Sequence, residues 1–300
     1  MAVLLGGSSG TDAGSPGQRR LPVFDFPEPA VRALAHVVRC ARWRHTDIGH
    51  PLGVDCGNVE RARDVIAACL ERAPDGGWAD PAATSELLGS YGIGLVVTEV
   101  AASVNGALKI AARLGYPVVL KTTAPGVVHK TDVGGVRGGL RSPQDVRTAY
   151  DDISLATKGG DMVVLPMIGG ATTELVVGVV AESSFGPIVM LGLGGVATDV
   201  LGDRTFRAAP VSDMEARQMV LGLKAAPLLL GYRGAPPADV DAIVDLLQRV
   251  GRLAADHPEV VELDLNPVLV RPGGLLAVDA RLRLAPPADA PDSDLRRLRS

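Results

Sequence analysis

The chain has 300 residues, of which 47% are apolar and only 3% aromatic, so it can bury a substantial and mainly aliphatic core. Its formal net charge of −4, with both signs interspersed, argues against a nucleic-acid partner and against a membrane-binding basic segment. The three cysteines, Cys40, Cys56 and Cys69, are odd in number and lack metal-binding spacing, so we expect a cytoplasmic protein without a disulfide framework.

The N-terminal part divides into a polar segment and a helical one. Residues 1–23 are rich in Gly and Ser and lack the basic start and long apolar stretch of a signal peptide, so we predict a disordered leader. Residues 24–77 carry apolar side chains at helical spacing, which predicts a helical extension. The first series is Ala30, Leu34, Val37 and Val38, and the second is Val59, Ala62, Val65, Ile66 and Cys69.

From residue 81 onward the pattern alternates between helices and strands, which favours an α/β fold built from α+β subdomains. A helix that carries Ala107 and Ala111 should end at Gly115, and a strand over residues 117–121 follows it. Ser142 is the expected cap of the next helix. Three valine-rich strands are then predicted over residues 162–167, 174–181 and 187–193.

The C-terminal part predicts two helices and a hairpin. Ser212 with Glu215 forms a capping box, and a longer amphipathic helix covers residues 237–255. His257 then stands in an Asp-His-Pro segment that is typical of a surface turn. Two closing strands over residues 260–270 and 275–284 flank a Pro-Gly-Gly turn and predict a hairpin. Residues 285–300 are predicted to form a disordered tail.

The segment 115–140 places Lys121 at the end of an apolar strand and His129 eight residues later. A buried lysine needs an anionic partner, and a nucleotide phosphate would satisfy it. The alternative is a lysine that simply emerges at a sheet edge, since its position in the sequence would be the same. His129 has no second histidine or cysteine at metal-ligand spacing. A neutral imidazole can take a phosphoryl group, and Gly134 and Gly135 would let the loop move; the alternative is an ordinary surface histidine.

Asn266 and Asp279 lie on the two closing strands, thirteen residues apart, so the hairpin could bring both side-chain oxygens to one face. Two hard oxygen ligands completed by phosphate and water commonly hold magnesium. The alternatives are that Asn-Pro starts a turn and that Asp279 caps a strand. The glycines Gly192, Gly194 and Gly195 do not have dinucleotide-binding spacing, and a tight turn explains them.

The chain resembles the ATP-grasp domain of NDP-forming acyl-CoA synthetases, the acetate–CoA ligase (ADP-forming) group, and more distantly the β subunit of succinyl-CoA ligase. The matching segments follow in order: GYPVVLK, HKTDVGGV, PMIGGATTELVVGV, FGPIVMLGLGGV, LDLNPVLV and LLAVDARL. The resemblance implies an ATP-grasp fold over residues 78–284, in which two α+β subdomains clamp a nucleotide, with a short helical N-terminal extension.

The resemblance also implies roles for individual residues. Lys121 corresponds to a nucleotide phosphate contact, and Leu165 and Met167 to an adenine-facing hinge. Glu174, Gly134 and Gly135 belong to the same ATP/ADP site, Asn266 and Asp279 correspond to Mg²⁺ ligands, and His129 corresponds to a phosphoryl-carrying histidine on a moving loop.

The implied activity is the reversible conversion of acid, CoA and ATP to acyl-CoA, ADP and phosphate through phosphohistidine. Because CoA-binding and ligase domains do not fit in this length, we expect them on a partner subunit of a hetero-oligomer. Asp199 stands where family members more often carry glutamate, which leaves open a regulatory or scaffold module without turnover. A third hypothesis is an independent ATP-grasp ligase that forms an acyl phosphate without CoA.

Overall fold

The structure is a computed structural model that describes residues 4–5, 23–45, 47, 49–53, 57–123, 133–170, 173–195 and 202–287. Most of the predicted leader and tail lies outside the described residues, and so do His129 and Asp199. The chain forms two compact units, residues 1–48 and residues 49–300. Among the helices that the structure describes, none has the length and apolar character needed to span a bilayer.

The first unit contains a pair of two-residue strands and one helix. Strands β1 (Leu4–Leu5) and β2 (Val23–Phe24) pair in parallel, and helix α1 (Pro27–His45) follows. Basic residues in its last turn complement the helix dipole. The structure has the helix that the first apolar series predicts. Of that series only Ala30 is buried, while Leu34, Val37 and Val38 are exposed.

The second unit contains the remaining elements, in chain order: α2 (Val59–Arg72), β3 (Gly77–Trp78), α3 (Pro81–Ser90), β4 (Glu99–Ala101), α4 (Val104–Leu114), β5 (Val118–Thr122), β6 (Val136–Leu140), α5 (Pro143–Thr157), β7 (Met162–Pro166), β8 (Thr173–Glu182), β9 (Gly186–Leu193), β10 (Arg204–Ala208), α6 (Asp213–Leu221), α7 (Ala226–Leu229), α8 (Val240–Asp256), β11 (Val260–Arg271), β12 (Gly274–Ala277) and β13 (Ala280–Leu284). These elements build two antiparallel sheets.

The small sheet has the strand order β4–β7–β5–β6 and packs one face against α4 and α5. Ser103 caps α4, and Gly115 ends it with φ 84, a conformation that favours glycine. Ser142 and Asp145 form a reciprocal capping box on α5, as the sequence predicts for Ser142. The small sheet, α4 and α5 together form the small lobe, whose core is aliphatic and includes Val118 and Leu120.

The large sheet has the order β10–β9–β8–β11–β13–β3, and β12 pairs with β11. The large sheet shares one core with α2, α3, α6 and α8, and together they form the large lobe. The three valine-rich strands, the capping box on α6 and the amphipathic helix are confirmed. The predicted hairpin is confirmed too, because Arg271 pairs with Gly274 around a two-residue turn. Helix α2 contributes Ala62 to this core.

A buried polar network connects α3 to the end of α8. The Tyr91 hydroxyl donates to Oδ2 of Asp256 at 2.9 Å and lies 2.9 Å from Nε2 of His257. Arg252 donates to both oxygens of Asp256, at 2.8 and 2.6 Å. His257 is only 1% exposed, so the sequence-based interpretation of a surface turn is wrong. Burial lowers the pKa of His257.

The chain crosses from the large lobe to the small sheet through residues 94–98. There the N–H of Val96 donates to the carbonyl of Ala277 at 2.9 Å, and Leu95 forms an isolated parallel bridge with the same residue. The segment that leads into β4 is therefore attached to Ala277, the last residue of β12.

Candidate functional site

Lys121 lies on β5 and faces away from the core of the small lobe. Its neighbours Leu120 and Thr122 are fully buried, and side chains alternate along a strand, so Lys121 lies on the other face. Strand β5 runs between β6 and β7, which excludes the alternative of a lysine at a sheet edge. The Lys121 side chain is 14% exposed, and its Nζ lies 3.4 Å from Oδ2 of Asp279 in the large lobe.

The sequence predicts Asp279 on a closing strand, and this is wrong. Asp279 lies in the two-residue gap between β12 and β13. Its carbonyl accepts the N–H of Asn266 at 3.1 Å, and its Oδ1 accepts the N–H of Ala280 at 3.1 Å. Asn266 lies at a register shift of β11, between Leu265 and Val268. The backbone hydrogen bond therefore makes Asn266 and Asp279 neighbours, and a shared face for their side-chain oxygens stays a prediction.

The chemistry of this donor set fits a hard divalent cation. The pair offers an amide oxygen and a carboxylate oxygen, which are hard ligands. The Lys121 ammonium beside Asp279 is a positive charge that a bound cation would have to displace. Among the residues that the structure describes, no group of three or more His, Cys, Asp and Glu side chains could hold a metal. Magnesium is often bound through one or two protein oxygens together with phosphate and water.

Asp264 is a further acidic residue beside this pair, and the sequence-based reasoning missed it. It lies on β11 opposite Arg281, with the core residues Leu263 and Leu265 on either side of it in the sequence. Burial raises the pKa of Asp264, and the carboxylate of Asp279 acts in the same direction. The alternation of acidic and leucine residues along the strand is the signal that could have identified it.

The two expected hinge residues lie at the end of β7. Leu165 pairs with Val119, two residues before Lys121, so it lies on the same face of the small sheet as Lys121. Its side chain is almost fully buried. Met167 is partly exposed, but its N–H already donates to the carbonyl of Pro117 at 2.9 Å. Any contact from Met167 to a base therefore has to use its carbonyl or its side chain.

Glu174 lies near the start of β8 and is held by the two glycines that follow β9. The N–H of Gly194 donates to the Glu174 carbonyl at 2.7 Å, and a Cβ at Gly194 would lie only 2.8 Å from the carbonyl carbon of Glu174. Gly195 has φ 81, and a Cβ there would lie 3.5 Å from Oε2 of Glu174. Gly194 therefore does more than form a tight turn, because a side chain there would collide with the Glu174 backbone, while the positive φ of Gly195 favours glycine.

Gly134 and Gly135 connect the start of β6 to β5. Gly134 has φ 70, and the carbonyl of Gly135 accepts the N–H of Thr122 at 2.9 Å. The two glycines thus lie next to the strand end that carries Lys121. The phosphoryl-carrier prediction for His129 cannot be compared with the geometry, because His129 lies outside the described residues.

The arrangement joins the two lobes at one pair of charges. The small sheet contributes a cation and an apolar side chain on one face, and the large sheet contributes oxygen ligands at the β11–β13 junction. Such an arrangement could place the ammonium and a metal ion on the phosphates of one nucleotide.

Comparison with known proteins gives a consistent picture. A family model described as an ATP-grasp domain matches residues 72–284. Acetate–CoA ligase [ADP-forming] I of Archaeoglobus fulgidus is 40% identical over 272 residues, which cover 88% of this chain and 39% of that protein. The chain thus spans about two-fifths of that relative. The subunit beta of acetate–CoA ligase [ADP-forming] I of Pyrococcus furiosus is 35% identical over 233 residues, which cover 75% of this chain and 99% of that subunit.

A solved structure with similar architecture is the acetyl-coenzyme A synthetase 1 of Ca. Korarchaeum cryptofilum in complex with coenzyme A and Mg-AMPPCP. It is 38% identical, with a TM-score of 0.64, and the match covers 74% of this chain and 99% of that chain. The description of that structure includes a phosphohistidine segment that points towards the nucleotide-binding site.

Proposed function

The chain belongs to the ATP-grasp family, in the group that includes the β subunits of ADP-forming acetate–CoA ligases, and we propose that it is the nucleotide-binding, phosphoryl-transferring part of an NDP-forming acyl-CoA synthetase. The family match and the structural match confirm the predicted ATP-grasp fold. The proposed net reaction converts acid, CoA and ATP to acyl-CoA, ADP and phosphate, reversibly. The observation that carries the proposal is the contact between Lys121 and Asp279 across the cleft.

We assign the phosphate groups of ATP or ADP to Lys121. Its ammonium is held on an interior strand with little exposed surface, so it can neutralise charge on the transferring phosphoryl group at a fixed position. Asn266 and Asp279 would hold Mg²⁺, which when bound neutralises phosphate oxygens and orients them. In phosphoryl transfer, positioning and charge stabilisation supply most of the rate.

The remaining site residues are assigned to the nucleotide. Leu165 lies on the face that carries Lys121, where an apolar side chain suits the flat surface of a base. Met167 extends that hinge. Glu174, held against Gly194, is assigned to the same ATP/ADP site together with Gly134 and Gly135. These assignments rest on the resemblance and on the placement of the residues.

His129 is the proposed phosphoryl carrier. A neutral ring nitrogen of His129 attacks the terminal phosphorus of ATP, the bond to the bridging oxygen breaks, and ADP leaves. The phosphoryl group then passes to the partner that carries the acyl and CoA chemistry. The segment HKTDVGGV and the phosphohistidine segment of the Korarchaeum relative support this assignment.

A CoA-binding subunit in trans is the proposed partner. The Pyrococcus relative is named as a subunit beta and is matched over nearly its whole length, whereas the Archaeoglobus relative is much longer than this chain. A hetero-oligomer in the cytoplasm would therefore carry the full reaction. Copurification with a CoA-binding protein is the expected observation.

Nucleotide binding tests the proposal directly. Isothermal titration of the full chain with ADP and Mg²⁺ should show binding, and Lys121→Ala should weaken it about 10- to 150-fold, since a hydrogen bond to a charged group contributes about 1.5–3 kcal/mol. The matched control is Lys109→Ala, an exposed lysine on α4 of the same lobe. Equal affinities of the wild type and Lys121→Ala would contradict the assignment.

Phosphoryl exchange tests the histidine. With the copurified partner present, His129→Ala should abolish exchange of phosphate between the partner and labelled ADP, while Mg²⁺–ADP affinity stays within about twofold because the histidine is not needed for binding. Normal exchange by that variant would reject the carrier role. No exchange even by the wild type, despite normal ADP binding, would favour a regulatory module.

A further inference from the structure

The residue assigned to phosphate and the residue assigned to the metal are paired with each other. Nζ of Lys121 and Oδ2 of Asp279 lie 3.4 Å apart, although the residues are 158 positions apart in the sequence and belong to different sheets. The lysine side chain is 14% exposed and the aspartate side chain 37% exposed. The contact is thus partly shielded from solvent, and its charges are less screened than those of a surface pair.

Each partner opposes the ligand of the other. A free divalent cation that approaches Asp279 meets the Lys121 ammonium, and a metal-free phosphate that approaches Lys121 meets the Asp279 carboxylate. Binding either ligand alone separates the pair, so the attraction between the ammonium and the carboxylate is lost and only one of the two side chains gains a new opposite charge. A ligand that brings both charges at once compensates both residues.

We propose that Lys121 and Asp279 form an exchangeable ion pair that makes the site select the metal–nucleotide complex over free metal and over metal-free nucleotide. The inference rests on the proposed function, since it assumes that both residues contact the same ligand. When the complex enters, the pair separates, the ammonium moves to phosphate oxygens and the carboxylate to the metal. No covalent bond changes in this step.

The proposal makes predictions that simple nucleotide binding does not make. If Lys121 only bound phosphate, its removal would leave the affinity for free metal unchanged. An exchangeable pair requires the opposite: removing the lysine must strengthen the binding of free metal. Likewise, neutralising Asp279 must strengthen the binding of metal-free nucleotide even though it weakens binding of the complex.

Binding of Mn²⁺ in the absence of nucleotide is the first measurement, by electron paramagnetic resonance on the full chain. Lys121→Met should bind Mn²⁺ about tenfold more tightly than the wild type, because a like charge next to the ligand has been removed. Lys121→Arg keeps that charge and should retain the weak wild-type affinity. Lys109→Met, on the exposed side of α4, is the matched control and should also match the wild type.

Binding of ADP in excess EDTA is the second measurement. Asp279→Asn should bind metal-free ADP several-fold more tightly than the wild type and should lose the gain that Mg²⁺ gives the wild type. Asp241→Asn, which removes an exposed aspartate paired with Arg217, is its control and should leave both affinities unchanged. Circular dichroism and melting curves establish that the variants are folded.

The outcomes separate the inference from the proposed function. If the wild type binds Mg²⁺–ADP but Lys121→Met binds Mn²⁺ no more tightly than the wild type, the exchangeable pair is overturned and the nucleotide site stands. If Lys121→Met binds Mn²⁺ more tightly but the wild type binds no Mg²⁺–ADP, the competition with cations is supported and the proposed function is overturned.

Discussion

The second unit holds two clusters of charged and polar side chains that differ in the length of their contacts and in whether those contacts cross from one lobe to the other. The network of Tyr91, Arg252, Asp256 and His257 is linked by contacts of 2.6–2.9 Å, and its members lie within the large lobe. The contact between Lys121 and Asp279 is longer, at 3.4 Å, and joins two lobes. The comparison associates short contacts within one lobe with folding, and it sets apart the longer cross-lobe contact as the pair that we propose to exchange ligands.

The sharpest test of this comparison is Asp256→Ala. The substitution removes an acceptor that Arg252 and Tyr91 share within the large lobe, so it should lower the free energy of unfolding by about 2–4 kcal/mol. Mg²⁺–ADP affinity should remain that of the wild type. Urea unfolding and calorimetric titration measure the two quantities. A stable variant with weakened ADP binding would reverse the roles of the two clusters.

Tyr91→Phe should have the next largest effect. The phenyl ring keeps the core packing and the edge contact with His257, whose ring centroid lies 5.7 Å away, but the hydroxyl is lost from between two buried partners. Leaving buried polar groups unsatisfied costs about 1–3 kcal/mol. A double-mutant cycle with Asp256→Ala should show coupling between the sites. Additive losses would mean that the network does not act as a unit.

The pH dependence of stability gives a smaller effect. Because burial lowers the pKa of His257 in the folded protein, folding favours the neutral ring. The stabilisation is complete above the unfolded pKa of about 6.5 and is lost as pH falls through the interval between the unfolded and folded values. Melting temperatures measured below pH 6.5 should fall less steeply in His257→Gln than in the wild type. An identical slope in the two proteins would exclude this contribution.

The smallest change in stability is expected for the cleft pair. Asp279→Asn should change the free energy of unfolding by less than about 1 kcal/mol, because a partly exposed ion pair contributes little. Its effect should be on metal-dependent nucleotide binding. Urea unfolding beside the surface control Asp241→Asn measures the difference. A loss as large as that of Asp256→Ala would break the distinction between the two clusters.

Local signals in the sequence predicted most of the elements of the second unit. The capping residues Ser142 and Ser212, the spacing of apolar residues on α8 and the Pro-Gly-Gly turn each act within a few residues, and the structure has the element that each predicts. The error at His257 depends on tertiary contacts. Whether the residue after α8 is buried depends on what packs beside it, which no local pattern states.

The candidate site was predictable in part. The hairpin placed Asn266 beside Asp279 because the two strands are adjacent in the sequence. From the residues alone, Lys121 was either a phosphate contact or an edge lysine, since its partner Asp279 lies far along the chain. The strand order excludes the edge position, and the phosphate contact stays a prediction. The close approach of Gly194 to Glu174 joins two strands through a backbone contact and leaves no signal beyond a glycine.

The attachment of the crossing segment to β12 has a mechanical consequence. Ala277, which anchors Val96 on its way into the small sheet, stands two residues before Asp279. The attachment point of the crossing segment and the carboxylate to which we assign a metal thus share one short stretch of backbone, and we expect the angle between the lobes to depend on which cation lies beside Asp279. Energy transfer between fluorophores on α4 and α8 should change when Mg²⁺–ADP is added to the wild type and should remain constant in Asp279→Asn. An equal change in both proteins would show that the angle between the lobes does not depend on the Asp279 carboxylate.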